Sequence, residues 1–289
     1  MLSMSYTIRD LLALSTKYLK DKGIEPARLD AELLLAHCLG WRRLDLYLNM
    51  DMPVDKKTVD CLRNLLKRRS CMEPVAYLIQ SKEFYGIEFF VTKAVLIPRP
   101  ETEVLVDAFL DRFPKDFSGF VLDLGTGSGA IACAIAMHRP AIKVVASDIS
   151  HEACLVAKTN VVRLGLCNRV FVLCMDLLSG LRKRPLFSAV ISNPPYIRLD
   201  EVGLMDEGSR KFEPHHALFC GENGFEVTRK IIEIAPQFMV PEGKLFLEVG
   251  SQMHLAETEE CIKACGRFGK CDKLYDLGGR VRGICAQLF

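Results

Sequence analysis

Four consecutive residues, Asn193-Pro194-Pro195-Tyr196, carry the most specific chemistry in the chain. They follow Ala189-Val190-Ile191-Ser192, an apolar run that reads as a strand. Two prolines in a row cannot continue a central strand, so the chain must leave the sheet at its carboxyl edge, where ligands of open α/β sheets sit. A plain strand-ending turn would account for the prolines but not for the flanking Asn and Tyr. The set suits methyl transfer to a nitrogen conjugated with a planar π-system, whose lone pair is delocalised and poorly nucleophilic. The Asn193 side-chain carbonyl and the Pro194 backbone carbonyl can each accept one N–H, so the nitrogen can pyramidalise and turn its lone pair toward an electrophilic methyl. Tyr196 offers an aromatic face for stacking. Positioning dominates such a step. It needs no metal, and no general base stands out; His151, His215 and His216 read as structural or exposed.

A second constellation is Asp123-Leu124-Gly125-Thr126-Gly127-Ser128-Gly129-Ala130, a strand end, a glycine turn and a helix start. Glycines there let backbone approach a ligand, and the helix N-terminus presents free N–H groups. Taken alone, this loop fits two cofactors. Gly125-x-Gly127-x-x-Ala130 matches a dinucleotide fingerprint, and Asp148 lies about where a ribose-binding acid belongs. The same residues match the D-x-G-x-G-x-G loop of S-adenosylmethionine (SAM) methyltransferases. Asp148 ends the second strand, where its carboxylate can accept from both ribose hydroxyls in either case. Asp176 closes the third strand, where an adenine edge would lie next to Leu177; a helix N-cap is its plainer role. The tetrapeptide decides between the cofactors, because hydride transfer has no use for it. Gly125, Thr126, Gly127, Ser128, Gly129, Asp148, Asp176, Leu177 and Asn193 are therefore expected to line a SAM site that releases S-adenosylhomocysteine.

The elements around these residues change character along the chain. Residues 1–82 read as helices: a capping-box pattern at Thr7–Asp10 opens a stripe ending at Gly23, Pro26 opens Ala27–Leu39 before Gly40, and Pro53 and Asp55 open a helix to about Arg69. The basic face of that last helix reads as solvated surface, with partner docking as the second possibility. Period-two patterning over Glu83–Val91 predicts a hairpin around Gly86, and 83–98 forms a linker. Over 99–289, strands expected at Phe120–Leu124, Lys143–Asp148, Val170–Asp176, Ala189–Ser192 and Lys244–Val249 alternate with helices. Two late strands, Lys273–Leu277 and Val281–Leu288, form a terminal antiparallel hairpin. This is an α/β class chain: a Rossmann-like, mostly parallel seven-stranded sheet with a small all-α N-terminal domain.

Composition narrows the function classes. With 289 residues and 49% apolar content, the chain can bury a large core without disulfide or metal staples. Net charge is +2, from 38 basic and 36 acidic residues. Up to residue 95 there are 15 basic against 12 acidic residues, and beyond it 23 against 24. That balance lacks the footprint of a dedicated nucleic-acid binder. Arg9 and Asp10 interrupt the apolar N-terminal stretch, which is read as no signal peptide, and no run suits a membrane span. The 12 cysteines contain no C-x-x-C and are expected to be free, mostly buried thiols in a cytoplasmic monomer.

The combined pattern resembles the class I SAM methyltransferases that carry [DN]-P-P-[YF], and most specifically the protein-(glutamine-N5) methyltransferases of peptide chain release factors, the PrmC/HemK family. The likeness extends over Glu73-Pro74-Val75-Ala76-Tyr77, Glu83-Phe84-Tyr85-Gly86, Ile97-Pro98-Arg99-Pro100-Glu101-Thr102-Glu103, Gly125–Gly129, Ile191–Ile197, Lys211-Phe212-Glu213-Pro214 and Asp276–Arg280. It implies methylation of the glutamine in the Gly-Gly-Gln motif of class 1 release factors. Asn193–Tyr196 would grip that glutamine, with Arg99 and Glu101 nearby on the substrate side. The helices of 1–82 and the hairpin would help to hold the release factor. The chain departs from the family at Lys211, where Arg is common, in what reads as a surface loop, and at Leu177, where an aromatic residue is common. The competing enzyme class is an adenine-N6 methyltransferase of DNA or RNA, disfavoured by the charge balance and by the lack of a groove-lining domain. A SAM-binding scaffold and a NAD-dependent oxidoreductase are the remaining alternatives.

Overall fold

The computed structural model describes residues 6–221 and 223–289; residues 1–5, the start of the stretch weighed above as a leader, lie outside them. Contacts divide the chain into two compact units. One runs to Gln80 and includes Asp206–Phe212; the other comprises Ser81–Met205 and Glu213–Phe289.

The first unit holds α1 (Ile8–Asp21), α2 (Ala27–Leu39), α3 (Arg43–Leu48), α4 (Lys56–Ser70) and α5 (Val75–Ile79). Thr7 and Asp10 form the expected capping box, with Asp10 N–H on the Thr7 hydroxyl at 3.2 Å and Thr7 N–H on the Asp10 carboxylate at 2.9 Å. Gly40 adopts the left-handed conformation that closes α2. Apolar faces converge on Leu12, Leu19, Leu34, Leu35 and Leu62. Two arginines of α4 tie its end inward: Arg69 to Asp30 at 2.6 Å and Arg68 to the buried Glu73 at 2.7 Å.

Asp206–Phe212, which the sequence division places within 99–289, groups with this unit because Gly208 lets the chain lie on the Met72 carbonyl. A Cβ there would stand 2.8 Å from that oxygen. Lys211 lies not in a loop but in a short helix, α9 below, paired one turn back with Glu207.

The second unit begins with β1 (Ser81–Phe84) and β2 (Ile87–Phe90), an antiparallel hairpin whose turn residues Tyr85 and Gly86 both have positive φ, as a two-residue turn of this hand requires. The hairpin is tied into this unit by Asn160, which accepts from Phe90 N–H and donates to Phe90 O, both at 2.8 Å. It is pinned again where Tyr85 N–H meets Glu103 at 2.7 Å.

The sheet that follows contains β3 (Phe120–Leu124), β4 (Lys143–Asp148), β5 (Val170–Cys174), β6 (Phe187–Ser192), β7 (Met239–Glu248), β8 (Phe268–Tyr275) and β9 (Val281–Leu288). Its order is β5-β4-β3-β6-β7-β9-β8, parallel through β7, with β9 antiparallel to both neighbours. The remaining helices are α6 (Glu103–Arg112), α7 (Ala130–His138), α8 (His151–Arg163), α9 (Glu207–Phe212), α10 (His215–Leu218), α11 (Glu226–Ile234) and α12 (Gln252–Cys265). Apolar strands such as Leu122, Val190, Leu245 and Leu247 are fully buried, as a sheet covered on both faces demands.

Several expected boundaries move for local reasons. Helix α7 starts at Ala130, not Ser128, because Gly129 sits at positive φ just before it. Helix α11 stops at Ile234 and tightens into a turn over Ala235–Gln237, because Pro236 cannot supply the next helical N–H. Strand β5 ends at Cys174, before Asp176. Strand β8, expected at Lys273–Leu277, starts at Phe268 and ends at Tyr275, the polar residues of its first half having hidden its start from an apolar count. All twelve cysteines are free, but against the expectation of mostly buried thiols only Cys133, Cys154, Cys220 and Cys285 are buried. No helix among the described residues is long and apolar enough to cross a membrane.

Candidate active site

Strand order reverses beside β3: the chain proceeds from β3 to β4 and β5 on one side, then returns to β6 and β7 on the other. Loops leaving the carboxyl ends of β3 and β6 therefore part and leave a crevice. A cleft of about 910 Å³, counted out to its open mouth, lies there, lined among others by Gly125, Gly127, Asp148, Asp176, Asn193 and Pro194.

One side of the cleft is backbone held by carboxylates. Gly125, Gly127 and Gly129 have φ of +70°, +55° and +81°, values that residues with a Cβ rarely adopt. A Cβ on Gly125 or Gly127 would meet nothing within 4 Å, so these two leave the cleft wall open, whereas one on Gly129 would press on Ala157 at 3.3 Å. Beneath the turn, the buried Asp123 accepts from the Thr126 hydroxyl at 2.7 Å and from Ala132 N–H at 3.1 Å. Burial outweighs these bonds and pushes its carboxyl up to about 7. Asp148 accepts from Gly127 N–H and Ser150 N–H, each at 2.9 Å, on different oxygens. Each oxygen keeps a second lone pair for a hydroxyl.

The other side is the turn after β6. Ser192 anchors it to β3 through a 2.8 Å bond to Leu124 O. The Asn193 amide donates to the Thr102 hydroxyl at 3.1 Å, leaving its carbonyl oxygen to accept. The Tyr196 hydroxyl donates to Glu248 at 3.3 Å, and burial, with that anion beside it, raises the phenol above its ordinary value. The Tyr196 ring rests on Gly250, where a Cβ would lie 2.2 Å from the ring. His254 sits 5.7 Å from the Tyr196 ring, accepts from Gly250 N–H at 3.2 Å, and is driven down to about 4 by burial. It is a neutral support, not a base, at physiological pH. Glu248 is buried, which lifts its carboxyl to about 7 against the pull of Thr102 and Tyr196.

Comparison with known proteins agrees with this geometry. Residues 10–79 match the PrmC N-terminal domain family and residues 101–205 the methyltransferase small domain family. A release factor glutamine methyltransferase of Rhodopirellula baltica is 38% identical over 286 residues, 98% of this chain and 96% of that one. One from Burkholderia pseudomallei is 40% identical over 266 residues, covering 88% and 92%. The chain belongs to the release factor glutamine methyltransferase family. Among solved structures, a methyltransferase from Pyrococcus furiosus superposes with a TM-score of 0.53 at 20% identity, covering 76% of this chain and 98% of that one, which supports the fold alone.

In this member of the release factor glutamine methyltransferase family, the expected residues divide into cleft wall and support. Gly125, Gly127, Asp148, Asp176, Leu177, Asn193, Pro194 and Pro195 line the cleft. Thr126, Ser128 and Gly129 stand behind it: Thr126 braces Asp123, and Ser128 O takes a 2.9 Å bond from Asn160. Tyr196 is committed to Glu248 and Gly250. Arg99 and Glu101 are not among the lining residues; Arg99 pairs with the buried Glu213 at 2.6 Å, and Glu101 lies 3.7 Å from Arg282. Asp176 caps no helix, because the chain turns at Leu177 with φ +46°. His216, read from sequence as structural or exposed, is exposed and also lines the cleft. Thr102, Asn160, Glu248, Gly250 and His254 escaped sequence reasoning. Only Thr102 lay inside a motif, and the others are joined to the site by folding alone.

Proposed function

We propose that this chain transfers a methyl group from SAM to the side-chain amide nitrogen (N5) of a glutamine in the Gly-Gly-Gln motif of class 1 peptide chain release factors. The observation that carries this reading is the Asn193 amide: an N–H of it is held by Thr102, so its carbonyl is left to accept from a substrate N–H in the same cleft that Gly127 and Asp148 line. Family membership supplies the substrate class, since the relatives matched along nearly their whole length are named for release factor glutamine methylation.

The residues present fit SAM. Gly125 and Gly127 leave open wall for a chain that no Cβ obstructs, Asp148 keeps lone pairs for ribose hydroxyls, and Asp176 and Leu177 line the same cleft. When bound, SAM supplies an electrophilic methyl on a sulfonium. Asn193 and the Pro194 carbonyl each take one amide N–H, which holds the nitrogen and favours the charge that develops on it. Pro194 and Pro195 stiffen the turn, and Tyr196 holds it to Glu248. Residues 1–82 and the hairpin serve to dock the release factor, and Arg99 and Glu101 act near the substrate side. The enzyme works as a monomer in the cytoplasm.

Label transfer from methyl-tritiated SAM to a purified release factor tests the reading, beside its Gly-Gly-Gln Gln→Ala variant and duplex DNA. Label on the intact factor alone is expected. Label on DNA alone assigns the chain to the adenine-N6 class instead.

A further inference from the structure

Thr102 occupies the N-cap position of α6, yet its backbone is helical (φ −70°, ψ −18°) and its hydroxyl makes no capping bond. A capping threonine ordinarily gives that oxygen to its own helix. Here the buried hydroxyl oxygen accepts from Asn193 Nδ2, 91 positions away. A hydroxyl has one proton, and with its oxygen facing an N–H that proton must go elsewhere. The buried Glu248 carboxylate, which Thr102 helps to hold down and which already takes the Tyr196 hydroxyl at 3.3 Å, is the acceptor that faces it. Parallel pairing of β6 with β7 sets Ser192 opposite Leu247, so Asn193 and Glu248 follow on neighbouring strands.

We propose that Glu248 and Thr102 are positioning residues for the transfer step, a one-way hydrogen-bond chain that makes the Asn193 amide present its carbonyl oxygen to the substrate. The proposal rests on the reading of Asn193 as an acceptor of the glutamine N–H. An ionised carboxylate only accepts, so both hydroxyls must point to it. Thr102 then turns a lone pair to Asn193, and a flipped amide would set two oxygens against each other. Glu248 is also costly to keep: it is 3% exposed, and its Oε2 has no hydrogen-bond partner among the described residues. Arg282, whose charge favours the ionised Glu248, bonds Asp276 at 2.8 Å and faces Glu101 at 3.7 Å. Stability alone does not explain such a group.

Protonation weakens Glu248 as an acceptor and releases the direction of the chain. The groups facing it are Thr102, Tyr196, Glu101 and Arg282, with Asp276 behind Arg282 and Arg99 near Tyr196. Since the carboxyl sits at about 7, turnover should fall on the acid side of neutrality.

The test measures kcat, KM for the release factor and SAM affinity from about pH 5.5 to 9 for the wild type, Thr102→Val, Thr102→Ser, Glu248→Gln and the Thr102→Val/Glu248→Gln double variant. Thr102→Val should lower kcat by about 10- to 100-fold with KM and SAM affinity within about twofold. Thr102→Ser should restore most of kcat. Glu248→Gln should erase the acid limb, and the double variant should be no worse than Thr102→Val alone, as residues in one chain are not additive. Wild-type kcat in Thr102→Val, or an acid limb kept by Glu248→Gln, overturns the proposal. The chain is also read without turnover: the infrared carboxyl band that Glu248→Gln removes should titrate near pH 7, and higher in Thr102→Val. A band indifferent to Thr102→Val overturns the chain, whereas a wild type that labels no release factor defeats the functional reading instead.

Discussion

The two walls of the cleft are held in different ways. On the glycine-loop side the bonds are short in sequence: Thr126 reaches Asp123 three residues back, Ala132 reaches it nine back, and Gly127 reaches Asp148 across 21 positions. On the side of Asn193–Tyr196 the bonds span 91 positions to Thr102 and 52 to Glu248. The first wall is a local motif closed within one βαβ unit, β3–α7–β4. The second is assembled only when α6, β6 and β7 have come together. The cofactor wall should therefore tolerate damage to the transfer wall, and each substitution should move one measured constant and spare the other.

The largest separation is expected for Asn193→Ala. Label transfer should fall at least about a hundredfold, as when a positioned polar group at a developing charge is removed, while SAM affinity by calorimetry falls far less. Joint loss of both would mean the walls are one unit. Asp148→Ala should do the reverse: SAM affinity drops about tenfold or more, because the ribose acceptors and the anchor of Gly127 go together, while kcat at saturating SAM changes less. Gly250→Ala sets a Cβ 2.2 Å from the Tyr196 ring. The ring must move, so kcat should drop about tenfold, and melting should fall by several degrees, with SAM affinity spared.

The smallest effect concerns pH. Asp123 holds its proton more tightly when folded, at about 7 against an ordinary value of 3.8. Between these values the folded state binds more protons than the unfolded one, so this group makes stability decline as pH rises. Asp123→Asn should remove its share of that slope from melting curves taken at about pH 4 to 7, leaving the share of Glu248, which is lifted to about 7 in the same way. His254 acts oppositely, since its depressed value of about 4 makes stability rise with pH up to about 6.5. A slope unchanged by Asp123→Asn would show that the carboxyl is not the source.

This contrast also explains what could be read before folding. The strand–glycine–helix unit, Asp148 and the proline-broken turn after β6 are local patterns, so their residue types at their spacing announce the cleft. The largely parallel sheet followed from alternation of strands and helices, and the hairpin from period-two patterning around Gly86. Thr102 stood out only as one letter of the family-like stretch Ile97–Glu103, because nothing in its neighbourhood reveals a partner after β6. Glu248 lay near the end of the expected strand Lys244–Val249, and Gly250 just past it; only the packed Tyr196 ring shows why a Cβ is excluded there. Asp206–Phe212 grouped with the helical unit for the same reason, through a contact of Gly208 with Met72 that no periodicity encodes.

The most direct test of a two-walled site is a crystal structure of the enzyme with S-adenosylhomocysteine and a release factor. The account predicts ribose hydroxyls on Asp148 and the Gly-Gly-Gln amide nitrogen within hydrogen-bond distance of both Asn193 Oδ1 and the Pro194 carbonyl. A glutamine amide bound away from those two oxygens, or a cofactor that leaves Asp148 untouched, would contradict it.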